Sequence, residues 1–479
     1  MLRLKPHYLL VCLGFLAACS LPIQKHEKSA IQLPKGFLSA TNDSGRVALP
    51  SWKSVYFDTS LNQLIDEAIV KNFEMRSAMQ RVESFRSQVV LNKGIRLPDL
   101  NANISMGARK FGEYTMDGVG NYDTRFSTNL NSKQQLPKVI PDYIIGLQSN
   151  WEIDLWGKLK NRKKAALNRF LAGEMGRNLV LTSTVAEVAS AYYSLLALDS
   201  EQRIYLENIA LQQRALDVVR ILKQTGQANQ LGVEIMEAQL LGSQEKEVEV
   251  VQRIIEAENT LNFLLGRFPQ PVIRSNDLLN KPLPTLVKSG IPSDMLQNRP
   301  DIAQAELELA ASHADVVSAK VAFYPSLNIN AGFGFQALNA ALLLEAPASI
   351  AYSGLGGLAA PLLNRRVLKS QLLSAEVEKK QAYIQYEKVV TRSFTEVYTS
   401  LTQLNNVERM LTIKNQEVQI LRNSINTSNE LFRTGRATYL EVNTVQKNAL
   451  QSQLESINLK KMQFQALVEL YRSLGGGWK

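Results

Sequence analysis

The sequence predicts a mainly α-helical chain that also gives four strands to a membrane β-barrel, with the whole pattern occurring twice. Three observations lead there. From Leu362 to Leu474 there is no proline and one glycine, Gly435. Proline breaks helices and glycine marks their ends, so this stretch reads as a very long helix, a turn over Arg433–Thr438 and a shorter returning helix. A matching stretch without proline lies between Pro141 and Pro269, with its turn at Gln224–Asn229. Ahead of each hairpin the apolar period changes from helical to alternating, which is the mark of strands.

The two copies can be put in register. Gly226 and Gly435 lie 209 residues apart, as do Gly266 and Gly475. Upstream, Leu97-Pro98-Asp99-Leu100-Asn101 and Tyr324-Pro325-Ser326-Leu327-Asn328 are 227 apart, so the first copy holds extra residues between that motif and its hairpin. The repeat unit is about 200 residues, far longer than a solenoid period. The long arm Arg366–Arg433 would measure about 100 Å at 1.5 Å per residue. Its apolar residues, among them Phe394, Val397, Leu404, Val407, Leu411 and Val418, form one narrow seam rather than a broad face. Such a helix must lie beside others like it.

In chain order, Arg3 and Lys5 precede the apolar run Tyr8–Leu16 and the tetrad Leu16-Ala17-Ala18-Cys19. That is a secretory signal, and a cysteine directly after the small residues resembles the bacterial lipoprotein signal, in which Cys19 would become the acylated, palmitate-bearing first residue. Ser20 follows it rather than an aspartate. The only other cysteine, Cys12, falls in the removed segment, so no disulfide is expected and stability must come from packing. The net charge is +10, or +8 without Arg3 and Lys5, and it is spread along the chain, which argues against nucleic acid. Residues 20–60 have no periodicity and read as an extended tether. Leu61–Gly94 reads as a helix that, stacked on a hairpin's returning arm, would match one long arm in length.

Then the strands begin. Leu100, Ala102, Ile104 and Met106 alternate with Asn101, Asn103, Ser105 and Gly107. Tyr143, Ile145, Leu147, Trp151 and Ile153 do the same, as do Leu327, Ile329, Ala331, Phe333 and Phe335. The fourth strand, around Ser349–Leu358, alternates poorly and is assigned from the repeat. Segments of about ten residues with one apolar face, aromatics near their ends and no other apolar partner favour an outer-membrane barrel over a soluble sheet. Ala337–Leu363 is too interrupted, by Asn339, Glu345, Pro347 and three glycines, for a membrane helix. Phe111–Asp142 reads as an exposed loop.

The domain plan is therefore a signal at 1–18, a tether at 19–60, a first repeat at 61–290 and a second at 291–479. The first repeat holds a helix, strands at 99–110 and 143–153 and a hairpin at 158–266; the second holds a helix, strands at 326–336 and 349–360 and a hairpin at 366–474.

Several motifs, in this order, carry a resemblance. They are the lipobox at Cys19, Trp151-Glu152-Ile153-Asp154-Leu155-Trp156-Gly157, Asn298-Arg299-Pro300-Asp301-Ile302, two Thr-Gly-x-Ala turns and the closing Leu474-Gly475-Gly476-Gly477-Trp478. Over essentially its whole length the chain resembles the TolC-like outer-membrane factors of tripartite efflux pumps, in the lipoprotein branch. The resemblance implies a homotrimer in which each protomer gives four strands to one 12-stranded barrel and its helices to a periplasmic coiled-coil tunnel. Four strands cannot close a barrel and an open edge cannot survive in lipid, which agrees with three chains sharing one barrel.

The resemblance also implies partners: a periplasmic adaptor, an inner-membrane transporter of the RND type, and outer-membrane lipid of a Gram-negative bacterium. By position, adaptor docking falls on Thr225, Gly226, Gln227 and Ala228 and on Thr434, Gly435, Arg436 and Ala437. Thr225 and Thr434 replace the family's usual valine, and the glycines would also serve simply to allow positive φ at a helix end. The family closes its periplasmic end with acids in the returning helix of the second repeat. Glu441 matches one of these, but the second position is Thr444, and the family's tyrosine before the turn is Phe432, which has no hydroxyl. What the resemblance leaves is a gate of three Glu441 carboxylates, tied to Arg433 or Arg436 of a neighbour, with a preference for cations.

Chemistry has few candidates. His7 lies in the signal, His26 in the tether and His313 alone in a helical stretch, and no metal spacing, nucleophile elbow or phosphate loop occurs. Glu152 and Asp154 sit at a strand end, where interface solvation accounts for them. The expectation is a non-enzyme without cofactors: a passive exit duct for small molecules, be they drugs, metal ions or metabolites. Two alternatives stand, a type I protein-secretion duct and a structural coiled-coil lipoprotein. The strands weigh against the latter and, by analogy, the lipobox favours efflux over secretion.

Overall fold

The computed structural model describes residues 51–131, 133–275, 278, 281, 283 and 298–478. Cys19, the signal and most of the tether lie outside the described residues, as does the junction of the two repeats at 290–291.

The chain enters through α1 (Trp52–Val55), α2 (Thr59–Lys71) and α3 (Phe73–Gly94). Within the stretch expected to be an extended tether, Trp52–Val55 and the start of α2 are helical, while Tyr56 and Asp58 are extended. Trp52, Val55 and Tyr56 are buried, and the Tyr56 ring meets Tyr471 edge-on at 5.9 Å. The helix expected over Leu61–Gly94 is broken at Asn72. Its side chain accepts from the N–H groups of Glu74 and Met75, capping α3, and donates to the Leu264 carbonyl at 2.8 Å. An asparagine that can cap a helix competes with continuing one.

The first copy continues through β1 (Asn101–Arg109), α4 (Met116–Asp123), β2 (Ile140–Ile153), α5 (Lys158–Gln224) and α6 (Gln230–Leu264). The second has α7 (Pro300–Val321), β3 (Ser326–Ala337), a 3-10 turn (Ala340–Leu342), β4 (Ile350–Ala359), α8 (Arg365–Arg433) and α9 (Tyr439–Ser473). At 69 residues α8 is about 104 Å long. Helix α4 breaks what was expected to be a plain loop, and Thr115 caps it by accepting from Gly118 N. Proline opens α7 at a position where no N–H is needed, with Asp301 in its first turn.

Each long arm has partners on its flank. Both α3 and α6 pack along α5, while α7 and α9 pack along α8. The ends of α2 and α6 meet where Asn72 reaches Leu264 and Phe73 meets Phe263 at 6.1 Å, so short helices do run end to end beside a long one. On α8 the seam residues Val397, Val407 and Leu411 are buried, and serines 393, 400 and 428 fill the same side. The main core lies where α1, α2, α5, α6 and α9 converge, around Tyr56, Leu61, Tyr192, Leu196, Leu261 and Phe464. Tyr193 stacks on Phe464 at 4.4 Å. An apolar window in α5 is long enough to cross a bilayer, but 56% of it is buried in the protein.

The four strands form one antiparallel sheet in the order β1-β2-β3-β4. Its register aligns the apolar sets. Ile104 faces Ile145, Leu147 faces Phe333, and Phe333 faces Tyr352, so one surface is apolar across all four strands. The opposite face carries Asn103, Gly146, Gly334, Asn150 and Asn330. The poor alternation of β4 has a cause here: Leu355 pairs with Asn330 on the polar face, and glycines occupy apolar-face positions 354 and 356. On the apolar face Ile104 is 80% exposed and Tyr352 83%, so none of the described residues covers it there.

Candidate functional site

The two turns expected to dock an adaptor have the same geometry. After α5, Gln227 N donates to Leu222 O at 2.8 Å and Gly226 N to Lys223 O at 3.1 Å. After α8, Arg436 N donates to Leu431 O at 2.8 Å and Gly435 N to Phe432 O at 3.1 Å. This paired closure is a Schellman motif, and it needs a left-handed residue after the helix. Gly226 at φ 73° and Gly435 at φ 68° supply it. Thr225 and Thr434 turn their hydroxyls back to the Leu222 and Leu431 carbonyls, at 3.0 and 3.1 Å. Each tip therefore presents an exposed triad, Thr225-Gly226-Gln227 or Thr434-Gly435-Arg436, with Ala228 or Ala437 half-buried beneath it.

The returning helices start differently. Asn229 caps α6 by accepting from Gly232 N, whereas Thr438 and Glu441 form a reciprocal capping box on α9. Thr438 N donates to Glu441 Oε2 at 2.6 Å and its hydroxyl donates to the same oxygen at 3.1 Å. The donation from the Thr438 backbone, with the hydroxyl's help, holds the Glu441 carboxyl below its usual pKa. Within the protomer Glu441 thus serves α9, and no ion pair joins it to Arg433 or Arg436 among the described residues. The pattern Thr-x-x-Glu is a local sequence signal for this helix start. Thr444 donates its hydroxyl to Leu440 O, inside its own helix.

Phe432 has a packing role. With Tyr439 it lies against the cluster Leu216, Val219, Val233 and Met236 of the first hairpin, so the two tips of one protomer lean on each other. Tyr439 covers Gly232, where a Cβ would come within 3.0 Å of the ring. Nothing in the sequence paired these two residues, because their contact joins different repeats.

The family motifs are structural joints. Trp151 Nε1 donates to Arg96 O at 3.0 Å and Trp156 Nε1 to Pro325 O at 2.8 Å, which ties the strand ends to the helices beside them. Solvation was the expected account of Glu152 and Asp154, and both instead have partners. Glu152 pairs with Lys158, and Asp154 accepts from Leu159 N and Lys160 N to cap α5. Arg299, only 5% exposed, forks onto Asp301 at 3.0 and 2.7 Å, reaches Glu396 at 2.9 Å and donates to Ser473 O at 2.6 Å. One guanidinium thereby joins the start of α7, the middle of α8 and the end of α9. Burial opposes the charge on Glu396, yet its hydrogen bonds with Arg299 and Arg392 outweigh this and lower its pKa. His313 is exposed on α7, and among the described residues no group of three His, Cys, Asp or Glu side chains is placed to hold a metal.

Residues 64–267 and 291–476 match the model of the family described as outer membrane efflux protein. The chain belongs to that family. Among the outer membrane efflux proteins it resembles is the pyoverdine export outer membrane protein OpmQ of Pseudomonas putida, 29% identical over 467 residues, 97% of this chain and 96% of that one. The cation efflux system protein CusC of an Escherichia coli O6:H1 strain is 25% identical over 472 residues, 97% of each chain. The solved structure of the outer-membrane channel OprN superposes with a TM-score of 0.82 at 23% identity, covering 95% of this chain and 99% of that one. The Neisseria gonorrhoeae MtrE outer membrane channel gives 0.77 at 21%, covering 96% and 98%. At that identity the structural likeness is one of fold.

Proposed function

We propose that three copies of this chain form the passive exit duct of a tripartite efflux pump in the outer membrane of a Gram-negative bacterium, anchored there by lipid on Cys19. The observation that carries the reading is the sheet: among the described residues, one apolar face is left uncovered and the two edges, β1 and β4, have no strand beside them. In lipid an unpaired edge is prohibitive, and closure through three chains removes every edge. An inner-membrane transporter of the RND type supplies the energy through a periplasmic adaptor, and the duct performs no catalysis. The adaptor docks on Thr225-Gly226-Gln227-Ala228 and Thr434-Gly435-Arg436-Ala437. Their matched backbone geometry supports one binding mode used twice per protomer.

The same end is the gate. Glu441, Thr444, Phe432 and Arg436 lie within or beside the second tip, and Glu441 Oε1 has no partner among the described residues. Three such carboxylates round an axis give a preference for cations. The cargo is of small-molecule class: relatives are named for pyoverdine, cation and toluene efflux.

Purification of the complex from its native membrane tests this reading. Co-purification of an RND-type transporter with its adaptor, and crosslinks from Gln227 and Arg436 to that adaptor, are expected. A co-purifying ATP-driven secretion transporter overturns it, as does adaptor affinity unchanged by bulky residues at both positions. Mass spectrometry of the mature N-terminus reports on Cys19, and cation selectivity of single channels carrying Glu441→Gln reports on the gate.

A further inference from the structure

At one end of the sheet the chain places a row of apolar side chains and, just beyond it, a set of unpaired cations. Strands β2 and β4 run the same way, so their last residues and the first residues of β3 lie together, with Ile153 opposite Leu327 and Ser326 opposite Ala359. Here Leu155, Trp156, Tyr324, Leu362 and Leu363 are exposed, and the Trp156 and Tyr324 rings lie 5.4 Å apart. Aromatic rings with polar tips and exposed leucines at one level are the signature of a membrane–water interface.

The helices that leave this end begin with cations. Lys160, Arg162, Lys163 and Lys164 fall in the first two turns of α5, and Arg366 and Lys369 take the equivalent place on α8. All but the half-buried Lys163 are exposed. None of the six has a carboxylate within ion-pair distance among the described residues, whereas their neighbour Lys158 is paired with Glu152. Both repeats therefore concentrate cations at the same end of the sheet, without ion pairs of their own among the described residues; in the first repeat the Asp154 carboxylate stands beside them, taken up by the N–H groups of Leu159 and Lys160. The height is the decisive quantity. The 14 residues of β2, tilted about 45°, rise roughly 33 Å, close to a hydrocarbon core of about 30 Å. Lys158 to Lys164 covers about 9 Å more along α5, which is the depth of a headgroup layer reached by long flexible side chains.

We propose that these residues form a cationic collar that binds anionic phospholipid headgroups of the leaflet facing the periplasm. The proposal rests on the outer-membrane reading above. A lipid fits better than the alternatives. Six like charges would repel at a contact between copies, and the polar face of the sheet at this level carries Asn328, Asn330 and Glu152, with no cation to continue the collar toward a lumen. Near an anionic surface each cation is worth roughly a fivefold gain in binding.

The test uses the full-length protein in phosphatidylethanolamine vesicles, with brominated phosphatidylglycerol or brominated phosphatidylethanolamine as the quencher of fluorescence from Trp151 and Trp156. The expected result is a severalfold higher association constant for phosphatidylglycerol. The ratio should fall toward one in strong salt, and also in a variant carrying Lys160→Gln, Arg162→Gln, Lys164→Gln, Arg366→Gln and Lys369→Gln. The salt arm needs no substitution, so it stands if that variant fails to fold. A wild-type ratio of one overturns the collar. So does a preference that survives both salt and the variant, and so does a variant that changes ion selectivity or oligomeric state with the lipid ratio intact, which would assign the cations to cargo or to a second copy. Absence of quenching by either lipid would instead fail the outer-membrane reading, and the collar with it.

Discussion

Removing the Arg299 guanidinium should loosen the second repeat at its base. Arg299→Met keeps the length of the stem and deletes five donors. Asp301 and Glu396 would then face each other across the vacated space, and the Ser473 carbonyl would lose its partner. Breaking one side of a fully buried ion pair costs about 3–5 kcal/mol. The lower end applies here, because the Asp301 and Glu396 side chains are 20% and 18% exposed and Arg472 stands 3.7 Å from Glu396 as a partial substitute. A loss of about 3 kcal/mol multiplies local opening roughly 150-fold. Native-state hydrogen exchange reads this directly, in peptides from the first turn of α7 and the last turn of α9. Arg299→Lys should recover only part, since a single ammonium cannot fork onto two carboxylates and a carbonyl. Protection in the Met variant within a factor of about two of wild type would refute the assignment of Arg299 as the joint of three helices.

Three further outcomes are expected. Gly226→Ala and Gly435→Ala meet no steric obstacle but force a Cβ into the left-handed region, so each should weaken its tip by about 1–2 kcal/mol, read by exchange at the Gln227 and Arg436 amides. Gly232→Val drives a side chain against the Tyr439 ring; it should cost about 1–3 kcal/mol and widen the separation of spin labels at Gln227 and Arg436 within one protomer. Asp58 is the acid-sensitive point. Burial raises its pKa, but hydrogen bonds from Lys281 and Tyr192 outweigh that and leave it below the ordinary carboxylate value. A lowered folded pKa gives stability that is present above the unfolded value of about 3.9 and is lost as pH falls through the folded one. Melting temperature should therefore drop on acidification below about pH 5, and Asp58→Asn, which keeps the cap on Ser60 and Leu61 but not the charge, should flatten that slope.

Much of the fold was legible because it depends on local rules. Absence of proline over more than a hundred residues, single glycines at the turns and apolar alternation in three strands are one-dimensional signals. What escaped was decided by contacts across the chain. Asn72 breaks a helical stretch because Leu264, nearly two hundred residues on, offers a carbonyl at the right place. Trp52 and Tyr56 leave an expected tether because a core near Tyr471 takes them in. The contact of Tyr439 with Gly232 joins the two repeats and has no local signal. At the tip the Thr438-to-Glu441 cap is, by contrast, a local pattern, a Thr-x-x-Glu capping box.

The open edges of β1 and β4 bear on inheritance as much as on architecture. A ring closed by three identical chains is only as sound as its worst member. A cell making equal amounts of normal chain and of a chain whose β4 cannot pair would retain intact rings in roughly one case in eight, since all three members must be normal. Strand-edge lesions in such a gene should therefore behave as dominant, and the share of intact rings should follow the cube of the normal fraction rather than the fraction itself.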